Sequence, residues 1–256
     1  MRAKRRDKAT VIGGFSVSGS SKMLFPHGPA NGPMTGVWLN TAGGITGGDQ
    51  FTLEAAADEG AHLVLTSQAA ERIYRAMPGK PGQVVNRLEI ASGARADWLP
   101  QETILFDHAA LDRRLDVTMA ADARFLGVES LIFGRALMGE TVTQLDLMDR
   151  ISVRRDGRLV FADRLRLSGD AQAALNRAHL GGGAVAMATV IAAWPGASAQ
   201  LETLRAMLPE TAGASALDDD LIVLRILAPD GFDLRQSLIP VLRHLNGADL
   251  PRPWMI

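Results

Sequence analysis

Short apolar runs that alternate with polar positions dominate the first two thirds of the chain. Gly, Pro, Asp or Asn interrupts them roughly every ten residues, a spacing typical of stacked β-strands rather than helices. The predicted strands are 37–40, 51–55, 62–66, 84–90, 96–99, 115–119, 125–133, 151–155 and 159–167. Asp156-Gly157 predicts a tight hairpin between the last two of these, because both residues tolerate positive φ angles.

The last third has a different periodicity. Leucines at 201, 204 and 208 share one helical face that ends before Pro209, and a second apolar face spans 234–245. Asp233 is the predicted N-cap of this second helix, Pro240 is expected to kink it, and Gly247 is the predicted C-terminal stop. Strands are predicted at 184–194 and 221–227.

The predicted fold is therefore mainly β, with stacked strands in β-helix-like layered sheets and a small α-helical element near the C-terminus. No internal repeat or low-complexity linker marks a domain boundary. We expect a single domain over residues 21–256, preceded by a flexible N-terminal segment, residues 1–20.

Composition removes several classes of function. The 256 residues carry a formal net charge of −1 and include no cysteine. No global field attracts nucleic acid or an anionic membrane, and thiolate metal cages, disulfides and cysteine nucleophiles are excluded. The basic N-terminus is followed by a Gly- and Ser-rich stretch rather than an apolar one, and no apolar run reaches the length of a membrane span. We expect a cytoplasmic protein that binds neither nucleic acid nor membrane.

The most unusual segment contains Gly43, Gly44, Gly47 and Gly48 and ends in Asp49. Closely spaced glycines allow positive φ angles and close approach of another chain. A phosphate-binding loop is one interpretation, but the spacing matches no nucleotide motif. A tight turn between strands is the favoured one.

Three carboxylates are candidates for chemistry. Glu71 is spaced to pair with Arg75 if this stretch is helical. Glu129 shares strand phase with Phe125 and two other large apolar residues, so one register buries it and requires a partner such as Arg135, Arg164 or a metal. A register break at Gly127 would instead turn it outward. Asp163, between Phe161 and Leu165, poses the same question.

No ready-made catalytic or metal site is visible. The five histidines show no metal-ligand spacing, and no nucleophile elbow or Ser/His/Asp order occurs.

Six blocks of sequence, taken in order, resemble the urease accessory protein UreD (UreH) family. They are 39–49, 70–75 (Ala-Glu-Arg-Ile-Tyr-Arg), 98–102 (Trp-Leu-Pro-Gln-Glu), 134–140 (Gly-Arg-Ala-Leu-Met-Gly-Glu), 163–165 (Asp-Arg-Leu) and 250–254 (Leu-Pro-Arg-Pro-Trp). The resemblance runs from about Leu39 to the C-terminus.

The resemblance implies a largely β fold and a non-enzymatic role. Members of the family are scaffolds that bind apo-urease structural subunits and UreF directly, and the GTPase UreG through UreF, in a dimeric hetero-oligomer. It also implies transient passage of Ni²⁺ through a water-filled tunnel, with no tightly bound cofactor.

Carried over by motif, the acidic residues of this path are Asp49, Glu129 and Asp163. The other positions expected at the tunnel or at interfaces are Gly43, Gly44, Gly47, Gly48, Glu71, Arg72, Tyr74, Arg75, Gln101, Glu102, Gly134, Arg135, Gly139, Glu140 and Arg164.

Two other classes of function stay open. One is a carbohydrate-active β-rich enzyme that uses a carboxylate pair drawn from Asp49, Glu71, Glu102, Glu129 and Asp163. The other is a small-molecule-binding module, which requires a closed pocket rather than a path through the protein.

Overall fold

The structure is a computed structural model that describes residues 1–29, 31–135 and 138–255. The strands are β1 Arg2–Arg6, β2 Ala9–Gly14, β3 Ser21–Leu24, β4 Met34–Asn40, β5 Gln50–Ala57, β6 His62–Ser67, β7 Glu71–Ile73, β8 Gly82–Ile90, β9 Arg95–Leu99, β10 Thr103–Leu105, β11 Ala109–Met119, β12 Arg124–Phe133, β13 Leu145–Arg155, β14 Arg158–Gly169, β15 Ala186–Ala193, β16 Ala212–Asp218 and β17 Leu221–Ala228. The helices are α1 Ala171–Leu175, α2 Leu201–Met207 and α3 Gly231–Asn246, with short 3₁₀ segments at Ala197–Gln200 and Arg252–Met255.

Two sheets face each other, and the central part of the chain alternates between them. Sheet A has seven strands in the order β14-β13-β11-β8-β5-β1-β2, and sheet B has ten, with the main order β16-β17-β15-β12-β9-β6-β4-β3. Within sheet A, β5, β8, β11 and β13 pair in parallel, and within sheet B so do β4, β6, β9 and β12. These stacked coils form a β-solenoid, which confirms the predicted fold class.

The coils repeat a structural unit that the sequence did not reveal. Each passes from sheet A to sheet B through a four-residue turn, at 58–61, 91–94 and 120–123. Gly60 and Gly93 occupy matching positions with φ angles of 65° and 62°. Backbone bonds continue the stacking through the turns, as in Arg95 N–H to Ala61 O. In the third turn Asp122 takes the place of the glycine and only the final alanine is common to all three turns, so the repeat is weak in sequence.

The solenoid ends in antiparallel structure. β13 and β14 form the predicted hairpin, with Asp156 and Gly157 at φ angles of 48° and 77°. Sheet B continues through antiparallel β15, β17 and β16, where all eight residues of β15 are buried.

Helix α3 covers sheet B with the predicted apolar face, which includes Leu234, Leu238 and Leu245. Its N-cap is Asp230, whose carboxylate accepts a hydrogen bond from Asp233 N–H, so the predicted cap at Asp233 was wrong by one turn. Gly247 ends the helix in the left-handed conformation, as predicted, and Pro240 lies inside it.

Two arginines from distant strands cap the C-terminal end of α3. Arg95 on β9 donates to the carbonyl of Asn246, and Arg124 on β12 donates to the carbonyl of Leu245. The last carbonyls of a helix lack intrahelical donors, so the two guanidinium groups satisfy them and complement the helix dipole.

Residues 1–20 contain two strands, in contrast to the flexible segment expected. β1 pairs with β2 and, through Arg2 and Ala3, with β5 in parallel. Ala3 is fully buried among alanines and leucines of the inter-sheet core. The sequence obscured this because β1 is basic and only one of its residues is buried.

Candidate functional site

A cavity of about 60 Å³ lies between the two sheets. This volume accommodates roughly four water molecules but no sugar ring, which disfavours it as a carbohydrate or small-molecule pocket. Most of its wall is apolar, but Glu71, Glu129, Arg113, Asn86 and Gln101 all contribute. The cavity is therefore a small chamber with polar side chains, including two carboxylates.

Arg113 holds the polar side of this chamber together. It lies on β11 with its side chain between the sheets, and its guanidinium donates to both oxygens of Asp149 on β13, at 2.9 and 2.6 Å. The same group contacts Glu129 Oε2 at 2.7 Å and donates to Thr103 Oγ1 at 3.0 Å. Arg113 and Asp149 are direct neighbours in the β11–β13 ladder, so strand register sets this geometry.

Glu129 lies on β12 and faces the inter-sheet core, on the same side as Phe125. Of the two registers expected from the sequence, the structure has the one that buries this carboxylate. Its side chain is 6% exposed. Trp98 Nε1 donates to its other oxygen at 2.8 Å. The partner is thus Arg113, not Arg135 or Arg164 as expected, because those two residues lie outside the inter-sheet layer. Gly127 does not break the register and turn Glu129 outward. Its lack of a side chain instead makes room for the Phe125 ring, which would lie 2.4 Å from an added Cβ.

Two buried carboxylates share one cation in this cluster. Burial raises the pKa of Glu129, the positive charge of Arg113 opposes that rise, and the nearby Asp149 carboxylate adds to it. Burial alone would lower the pKa of Arg113, but Asp149 and Glu129 outweigh it and hold the guanidinium charged. With both carboxylates ionised the cluster carries one uncompensated negative charge facing the cavity.

Glu71 is the second carboxylate on the cavity wall. Burial raises its pKa to about 7, although a hydrogen bond from Asn40 opposes the rise. Asn40 Nδ2 donates to Glu71 Oε1 at 3.2 Å and to the Gly44 carbonyl at 3.0 Å. Residues 71–73 form strand β7, so the helical condition for a pair between Glu71 and Arg75 is not met. Glu71 can exchange a proton near neutral pH.

Two polar groups on the cavity wall have no partner among the described residues: Thr66 Oγ1 and Gln101 Nε2. Arg235 donates to Gln101 Oε1 at 2.8 Å, so the amide oxygen must face the arginine and the NH₂ group is left free. Orphaned buried groups of this kind are normally satisfied by water or a ligand. The chamber is thus equipped to hold ordered water.

Asp163 lies in the same polar layer as Glu129, outside the cavity. Glu129, Thr189 and Arg225 are consecutive partners across β12, β15 and β17. Arg225 bridges from sheet B to Asp163 on β14 and donates to Thr189 Oγ1 at 3.2 Å. Two of the three expected path carboxylates therefore lie in one polar row, and each contacts an arginine: Glu129 contacts Arg113, which Asp149 shares, and Asp163 contacts Arg225.

Asp49 is not part of this layer. It closes the Gly-rich turn by accepting a hydrogen bond from Thr46 N–H at 2.9 Å. Gly47 and Gly48 belong to the same turn, and Gly48 has a φ angle of 87°. The segment is a tight turn, as favoured from the sequence, and the carboxylate serves its geometry.

Gly43 and Gly44 allow β7 to approach the turn closely. A Cβ on Gly44 would lie 2.3 Å from the Tyr74 ring and 2.7 Å from the Arg72 carbonyl. Tyr74 donates its hydroxyl to the Gly43 carbonyl at 2.9 Å, and Thr46 Oγ1 donates to the Arg75 carbonyl. The side chains of Arg72 and Arg75 are exposed, so both arginines contribute backbone to this contact.

The 134–140 block packs beside the contact between the Gly-rich turn and β7. Ala136 and Leu137 in this block lie outside the described residues. Arg135 forms an ion pair with Glu140 at 2.8 Å and stacks 4.1 Å from the ring centre of Phe106. Phe106 in turn makes an edge contact with Tyr74. Gly134 and Gly139 take positive φ angles.

The 98–102 block is hydrogen-bonded to the C-terminal block, residues 250–254. Trp254 Nε1 donates to the Leu99 carbonyl at 2.9 Å, and Arg235 on α3 contacts both Glu102 and the Trp254 carbonyl. Glu102 therefore contributes an ion pair to α3 rather than a carboxylate to the cavity. Arg164 is exposed on the outer face of β14.

Sequence reasoning missed Arg113, Asp149 and Thr66. A signal was present for the first two, because each occupies an inward-facing position within a period-two run of Leu, Ile and Val. Thr66 gave none, since a threonine in a strand is ordinary.

Within the described residues no group of three or more His, Cys, Asp or Glu side chains could hold a metal ion. None of the helices there combines the length and apolarity that a bilayer span would require.

A family model described as UreD urease accessory protein matches residues 1–255. The chain belongs to the UreD family. It is 50% identical over 239 residues to the urease accessory protein UreD of Ruegeria pomeroyi, covering 93% of both chains. The Rhizobium etli UreD is 44% identical over 253 residues, covering 98% of this chain and 92% of the relative. The match includes the first 38 residues, which the sequence blocks did not reach.

Proposed function

We propose that this chain is a urease maturation factor, a non-catalytic nickel-insertion chaperone that acts in the cytoplasm. It holds the apo-urease structural subunits and UreF, recruits UreG through UreF, and gives Ni²⁺ a path between the two sheets. Membership of a family of urease accessory proteins supports the maturation role. The chamber lined by Glu71 and Glu129 supports the path.

The chemistry of the chamber suits transit better than storage. An ion in transit needs oxygen ligands that bind it weakly enough for it to leave. Glu71, with a pKa of about 7, can release a proton when a cation arrives and take one up when it departs. Glu129 already forms an ion pair with Arg113, so a cation at Glu129 would compete with the guanidinium and be held loosely.

The maturation role is tested by expressing the urease operon with and without this gene. We expect folded urease that is poor in nickel and inactive when the gene is absent, and recovery of both nickel content and urea hydrolysis when it is restored. Fully nickel-loaded urease without the gene would refute the role.

The path is tested with isosteric variants in the same assay. Glu71→Gln and Glu129→Gln should lower nickel per urease active site, because each removes a charge from the chamber. Asp163→Asn probes the polar row beyond it. Asp49→Asn is the matched control, since its carboxylate lies on the turn outside the cavity. Equal nickel loading by all four variants would contradict the path while leaving the maturation role intact.

A further inference from the structure

Strand β14 forms one end of sheet A and pairs with β13 on one side only. At 12 residues it is the longest strand described. Its other side presents backbone N–H and C=O groups that no described strand pairs with. Such an edge is a template for another extended chain.

The strands at the other three ends of the two main strand orders are protected by short length or irregularity. β3 has four residues, β16 contains a register shift between Ala216 and Asp218, and β2 has six residues beside a shift at Arg2. In the β13–β14 pair the only shift lies near the start of β14, so residues 161–169 run regularly. Natural proteins usually shorten, bulge or charge their edges to prevent pairing; in β14 the bulge is confined to the start, and the exposed charges Arg164 and Arg166 have one sign, which would admit an acidic partner.

Side chains on β14 divide by face. Phe161, Leu165 and Leu167 point inward and stay partly exposed at the margin of the core. Arg158, Arg164 and Arg166 are exposed, with no carboxylate partner among the described residues. An added strand could therefore cover apolar side chains on one face and meet two cations, Arg164 and Arg166, on the other.

Positive charge accumulates toward this edge. Arg164 lies directly opposite Arg150, which lies directly opposite Arg114. Like charges in such positions destabilise a sheet. Arg150 is neutralised by Asp112 and Arg114 by Asp116, whereas Arg164 at the edge has no such neighbour. Repulsion at the edge would be relieved by acidic side chains of a partner.

We propose that the free edge of β14 docks an extended acidic segment of a partner protein, which extends sheet A by one strand. Backbone hydrogen bonds would supply affinity, and alternating acidic and apolar side chains would match the two faces of β14. A second copy of β14 is disfavoured because it would bring arginines together. A nucleic acid is disfavoured because Asp112 and Asp116 interrupt the cations and the chain carries a net charge of −1.

The probe is a fluorescent peptide of alternating valine and glutamate, titrated against the full-length protein. We expect salt-sensitive binding, slower amide hydrogen exchange in β14, and a loss of roughly tenfold or more in affinity for the Arg164→Glu/Arg166→Glu variant. The matched control is Lys4→Glu/Arg6→Glu, which makes the same charge change on exposed positions of β1 in the same sheet and should bind as the wild type does.

Absent binding, equal loss in both variants, or equal binding of a valine–lysine peptide would overturn the proposal. So would tighter binding of a single-stranded oligonucleotide, or dimerisation through β14 in light scattering. If the reversed-charge variant does not fold, Arg164→Gln/Arg166→Gln replaces it with the same expected direction. None of these results depends on the urease role.

Discussion

At the scale of single residues, the decisive feature is one buried cation serving two carboxylates. Arg113 contacts Glu129 and Asp149, and both carboxylate side chains are largely buried. Removing one partner of a buried ionic cluster is costly because the remaining charges stay desolvated. An exposed ion pair contributes little because water replaces it.

Arg113→Met should therefore lower the free energy of unfolding by about 3 kcal/mol or more. Arg87→Met, which removes the exposed Arg87–Glu54 pair in the same sheet, should cost at most about 1 kcal/mol. Urea denaturation of both variants measures the difference. Similar losses would mean that water reaches the Arg113 cluster.

Glu71 predicts a pH dependence of stability. Its folded pKa of about 7 lies above the unfolded value of 4.5. Both states are protonated below the lower value, so no penalty exists there. Between pH 4.5 and 7 the unfolded chain loses its proton first, and stability falls by about 3 kcal/mol in total.

Glu71→Gln should consequently be no more stable than the wild type near pH 4.5 and clearly more stable at pH 8. Denaturation midpoints at the two pH values test this. Glu89→Gln, which changes an exposed carboxylate on β8, provides the control and should show no growing difference. A constant difference between wild type and Glu71→Gln would contradict the raised pKa.

At the scale of elements, the turn at 40–49 and strand β7 form one unit. Gly44→Ala would place a methyl group against the Tyr74 ring and the Arg72 carbonyl. Overpacking of this kind costs roughly 1–3 kcal/mol, because the backbone carbonyl cannot move freely. We expect a lowered melting temperature and altered fluorescence of Tyr74, the only tyrosine.

The control for that change is Gly213→Ala on β16, where an added Cβ meets nothing within 4 Å. It should be neutral or slightly stabilising. If both glycines tolerate alanine equally, the turn can shift away from β7.

Elements with local signals were predictable, and those set by distant partners were not. Asp156-Gly157 specifies its hairpin within four residues, and the leucines of α3 specify its buried face. Arg113 and Asp149 meet only because two parallel strands 36 residues apart adopt one register, which no local pattern encodes. The strand phase of Glu129 allowed its burial to be weighed as one of two alternatives. The identity of its cationic partner, Arg113, could be read only from the fold.

At the scale of the whole molecule, the N-terminal strands close one end of sheet A. Deleting residues 1–14 would expose the edge of β5 and the apolar side chains around Ala3. We expect lower stability and concentration-dependent aggregation, because an uncovered regular edge pairs with other chains. Light scattering and thermal unfolding of the shortened chain test this, and unchanged behaviour would contradict a stabilising role for β1 and β2.

The arginines that cap α3 have a consequence for synthesis on the ribosome. Arg95 and Arg124 are made early, yet their acceptor carbonyls at Asn246 and Leu245 lie 151 and 121 residues later. The coils can stack one by one as they emerge, but the face of sheet B beneath α3 stays bare until α3 itself has left the exit tunnel. The nascent protein thus exposes the apolar face formed by β12, β15 and β17 until α3 folds over it, so the synthesis of α3 determines when that hazard ends.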